Sequence, residues 1–94
     1  MIDMHNLSPG TRVVANTKNS EYIFEILDDE GSVIVRGGSF FEDPAPARYA
    51  GSFDAIDFLT GKQEHLKHMH IERICGGPVT TSCVLTAKII GKNW

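Results

Sequence analysis

Residues 17–38, TKNSEYIFEILDDEGSVIVRGG, constrain the fold more than any other part of the chain. Two short segments rich in β-branched and aromatic residues flank Asp28, Asp29, Glu30 and Gly31. Side chains alternate across a strand, so Tyr22, Phe24 and Ile26 share one face. Glu21, Ile23, Glu25 and Leu27 make the other face, which is mixed and only partly wet. Gly31 is free to take positive φ in the turn, and residues 32–36 return with Val33, Ile34 and Val35. The segment reads as a β-hairpin, and Gly37-Gly38 ends its second strand.

The flanking chain continues the pattern. Residues 11–16, TRVVAN, form a short β-rich strand after the turn Leu7-Ser8-Pro9-Gly10. Residues 66–73 alternate, with Met69 and Ile71 on one face and His68, His70 and Glu72 on the other. Residues 79–90 read as a last long strand whose more apolar side holds Val79, Thr81, Cys83, Leu85, Ala87 and Ile89. Residues 53–59 fit either a strand or one helical turn. No stretch has the length and 3.6-residue period of a helix. Five to six short strands separated by turn signals predict an all-β fold, a small antiparallel barrel or sandwich. Closure would protect strand edges that so small a chain cannot otherwise cover.

With 94 residues there is room for one domain, spanning 1–94, with 1–9 and 91–94 expected as flexible ends. Twelve acids stand against nine bases, and no basic run supports a broad nucleic-acid footprint. A local patch of Arg36, Arg48, Lys62 and Lys67 is the remaining basic candidate. No apolar run approaches a membrane span. The first ten residues lack the basic-then-apolar order of a signal peptide, so a cytoplasmic protein is expected, with Cys75 and Cys83 as reduced thiols.

Residues 39–52 show no strand or helix period. Pro44 and Pro46 remove backbone donors, and the alanines add little to a core. This predicts the longest irregular segment, and with it a functional loop. Its large side chains, Phe40, Phe41, Arg48 and Tyr49, are the candidate binding surface. The plainer expectation is that Phe40 and Phe41 plug an end of the barrel.

The order T-x-N-S-x-Y (Thr17, Asn19, Ser20, Tyr22), V-x-G-G-x-x-F (Val35, Gly37, Gly38, Phe41), Pro44, Gly51-Ser52 and T-S-x-V (Thr81, Ser82, Val84) resembles a group of small bacterial β-proteins. The resemblance implies a compact all-β fold of about this length. It carries no activity, substrate or catalytic residue.

Chemistry-bearing residues are few. On a strand, His68 and His70 stand roughly 6–7 Å apart on one face, with Glu72 a step further and His65 in the preceding turn. Such a set can hold a divalent metal of the zinc type, while the plainer reading is an outward polar face. No other cofactor is indicated, and His5 is isolated. Cys83 lies on the apolar side of its strand, and Cys75 lies in a turn without a positioned base. Asp28-Asp29-Glu30 lacks the ordered acids of a calcium loop, and Gly37-Gly38 and Gly76-Gly77 fit no phosphate-binding motif. Aromatics beside Arg36 and Arg48 leave single-stranded nucleic acid as a minor alternative. The sequence therefore favours a non-enzymatic interaction module, whose partner is another protein or a second copy.

Overall fold

The computed structural model describes residues 2–39, 41–54, 58–64, 66–74 and 76–92. The strands are β1 (Ile2–Asp3), β2 (Thr11–Thr17), β3 (Glu21–Ile26), β4 (Ser32–Gly37), β5 (Phe41–Phe53), β6 (Phe58–Thr60), β7 (Lys62–Gln63), β8 (His68–Arg73) and β9 (Val79–Lys92). A 3-10 turn at Met4–Asn6 follows β1. Antiparallel pairing runs β2–β3–β4–β5–β8–β9 and returns from β9 to β2, so the expected all-β fold is a closed barrel. β6 adds to β5 outside the ring, and β1 pairs with β7.

Alternation builds the interior. Val13 and Ala15 of β2, Tyr22, Phe24 and Ile26 of β3, and Val33 and Val35 of β4 all point inward. Each large apolar side chain so buried contributes roughly 1.5–3 kcal/mol. Asp28 shapes the β3–β4 turn. Its carboxylate accepts the N–H of Glu30 at 2.9 Å and of Ser32 at 3.1 Å. Gly37 is required because its backbone runs against Glu21 and Tyr22, where a Cβ would collide with main-chain atoms.

Three expectations need correction. Residues 39–52 are not an irregular loop, because β5 occupies most of them as a strand of 13 residues. It pairs with β4 along its first half, with β6 at its end, and with β8 from Ala47 onward. The prolines are tolerated by parity. The Tyr49 N–H donates to Gly31 O at 2.7 Å, so odd-numbered residues here aim their donors at β4. Pro46, opposite Ile34, therefore turns its nitrogen away from β4, to a side where β8 pairing has not begun. Pro44 shares that parity.

The N-terminal residues are not a loose end. Met4 is fully buried, its N–H donates to Gly61 O at 2.7 Å, and Ile2 and Leu7 pack against the core. At the other terminus, Gly91 and Lys92 continue β9 opposite Arg12 and Thr11, while residues 93–94 lie outside the described ones.

The face expected for β9 also shifts. Val79 and Thr81 point inward, but the register against β8 slips between His68 and His70, and that against β2 slips between Asn16 and Thr17. The slip against β8 makes Val84 the next buried residue and leaves Cys83 half-buried, while the slip against β2 leaves Leu85 exposed and returns Ala87 to the core side, as expected.

Candidate functional site

Of the expected binding surface, Phe41 and Tyr49 are buried in the core and present no surface. Strand alternation turns both inward, and Tyr49 meets Phe24 edge-on at 5.6 Å between ring centroids. Its hydroxyl donates to Lys62 O at 3.3 Å. Burial pushes the Tyr49 phenol well above the ordinary tyrosine range, offset in part by hydrogen bonds with Gln63 and Ser52. Arg48 points outward, with Nη1 on Glu72 Oε1 at 2.8 Å. Phe40 lies outside the described residues.

The histidine face forms as expected on β8, with Met69 and Ile71 inside. Its contacts are aromatic. Phe53 and Phe58 stack at 6.2 Å, and His70 stands edge-on to both at 6.4 Å. These rings gather at Gly51, where a Cβ would meet Leu59 O and the Phe58 ring. His68 donates from Nδ1 to Thr81 O at 2.8 Å, which fixes its tautomer. Glu72 faces Arg48, and His65 lies outside the described residues. Among the described residues no three of His, Cys, Asp and Glu gather as a metal-binding set.

The expected basic patch does not gather as a free cationic surface. Lys67 Nζ lies 2.7 Å from Asp54 and 3.7 Å from Glu64, and Arg48 is paired with Glu72. Arg36 instead lines a groove of about 170 Å³ on the outer sheet with Arg12, Ile23, Glu25, Ile34 and Pro44. Within it Arg12 and Glu25 form an ion pair at 3.3 Å. Cys75 lies outside the described residues.

The surface that sequence reasoning missed is the second half of β9. Leu66 N–H donates to Val84 O at 2.7 Å and Val84 N–H donates to Lys67 O at 2.9 Å, which completes the contact with the β8 side. From residue 85 to 92, β9 pairs only with β2 among the described residues, leaving its other edge open. Leu85, Ile89 and Ile90 are 41%, 51% and 39% exposed along this edge. Ile89 lies opposite Val13, and Ile90 is the extra residue of a bulge between the pairs Val13–Ile89 and Arg12–Gly91. The adjacency of Ile89 and Ile90, LTAKIIGK without alternation, was the available signal.

A second open edge lies along residues 41–46 of β5, beyond the reach of β8. There Pro44 and Pro46 replace the donors an incoming strand would need, and Glu42 and Asp43 add exposed charge. The β9 edge has neither proline nor acid. Among the described residues no helix is long and apolar enough to cross a membrane. Comparison of the chain with protein-family models, curated proteins and solved structures finds no match.

Proposed function

We propose that this protein is a non-enzymatic interaction module, a small β-barrel that docks an extended protein segment along the open edge of β9. The segment comes from a partner protein or from a second copy. One observation carries the reading: among the described residues, the open stretch of β5 is blocked by Pro44 and Pro46, while the open stretch of β9 has no proline and exposes Leu85, Ile89 and Ile90. An unpaired strand edge with apolar side chains is a template for strand addition.

The test is a double variant, Ile89→Lys with Ile90→Lys, compared with the wild type by sedimentation and by pull-down. Both side chains are substantially exposed, so the barrel is expected to keep its fold by circular dichroism. The wild type should self-associate or retain a partner that the double variant loses. Equal behaviour of the two proteins, or a wild type that stays monomeric and retains nothing, contradicts the proposal.

A further inference from the structure

The interaction-module reading leaves the chemistry of the docked segment open, and the charge along β9 narrows it. All 12 acids of the chain lie at or before Glu72, whereas residues 73–94 contain Arg73, Lys88 and Lys92 and no acid. Lys88 is exposed, sits opposite Val14 on the outer face, and forms no ion pair among the described residues. Ile89 and Leu85 offer apolar contacts on the same edge.

A second β9 strand has no acid to set against Lys88. Two copies paired about a two-fold axis place each residue opposite its own symmetry mate at the axis. With the axis at Lys88, lysine opposes itself, and with the axis at Ile90, Lys88 opposes Lys92; with the axis at Ala87 or Ile89 no lysines meet, but residues 79–92 hold no acid to face Lys88 in any register. Like charges directly opposed across strands are destabilising. A strand carrying an acid opposite Lys88 meets no such cost.

We infer that β9 docks an extended segment of a partner protein in which apolar residues alternate with acidic ones, the acid set against Lys88. Main-chain hydrogen bonds to the open edge would supply affinity, and the apolar and acidic side chains would supply selectivity. This rests on the interaction-module reading.

The probes are two fluorescently labelled eight-residue peptides, one alternating valine with glutamate and one alternating valine with lysine. Each is titrated at low salt against the wild type and against Lys88→Glu, with amide shifts of residues 85–91 followed by NMR. The glutamate peptide should bind the wild type with saturation, move those amides, and outcompete the lysine peptide. Reversing one cross-strand charge should weaken the glutamate peptide about fivefold, with a matching gain for the lysine peptide. Equal affinities, indifference to Lys88→Glu, shifts elsewhere on the barrel, or no binding overturns the inference. If the peptides fail while the wild type self-associates through Ile89 and Ile90, the occupant is a second copy and the module reading stands. If both experiments fail, neither reading survives.

Discussion

At the scale of single residues, His5 does the most that its isolation in sequence conceals. Its Nε2 lies 2.7 Å from Tyr49 O, so that nitrogen carries the proton and donates to the carbonyl. The ring fills the space left by two glycines: a Cβ on Gly31 would sit 2.5 Å from Nε2, and one on Gly61 would sit 2.6 Å from the ring. His5→Ala removes a donor from a part-buried carbonyl and should destabilise the fold by about 1–3 kcal/mol, measured by urea unfolding. Tyr49 gives a prediction in pH. The unfolded phenol ionises near pH 10, and the buried one resists ionisation, so the stabilising difference is full below about pH 10 and is lost as pH rises above it. Tyr49→Phe should cost about 0.5–1.5 kcal/mol near neutrality, and its Tm should fall less steeply than the wild type's above that pH. Asp28 has the opposite sign. Hydrogen bonds from the Glu30 and Ser32 amides hold its carboxyl below the usual range, so its contribution is present above about pH 4 and fades in acid. The Tm difference between wild type and Asp28→Asn should therefore shrink as pH falls below about 4; a difference that is constant across that range contradicts the role given to Asp28.

At the scale of elements, proline tolerance in β5 is a matter of parity and can be tested as such. Ala47 shares the parity of Tyr49, so its N–H faces β4 opposite Val33. Ala47→Pro should destabilise the barrel by about 3 kcal/mol or more, whereas Pro46→Ala should change Tm little, since its nitrogen faces no strand. Equal sensitivity at the two positions would show that the ladder does not run as described. The same elements mark what was legible in the sequence. The β3–β4 hairpin and the Met69–Ile71 face of β8 were readable, because alternation is a local signal and both strands keep it. β5 was not, since its prolines and alanines lack strand character by themselves and are held by β4 and β8. That is why Phe41 and Tyr49 read as candidate surface in the sequence, although the plainer expectation for Phe41, a plug within the barrel, matches its burial. In β9 one bulge moves the inward face from Cys83 to Val84 and a second returns it to Ala87, and a bulge is set by the neighbouring strand's register rather than by composition.

At the scale of the molecule, residues 41–46 of β5 and 85–92 of β9 are paired along one side only among the described residues. The candidate site is the second of them, and sequence alone could not place it, because whether a strand has an open edge depends on where β8 stops. For docking to occur there, this edge must be unoccupied in the isolated chain. Amide hydrogen exchange, residue by residue by NMR, tests it most directly. Alternate amides between residues 85 and 91, those facing away from β2, should exchange far faster than the amides of Ala47 and Tyr49, which face β4. Uniformly slow exchange along β9 in a demonstrably monomeric sample would mean that the edge is already covered from within, and the docking account would be wrong.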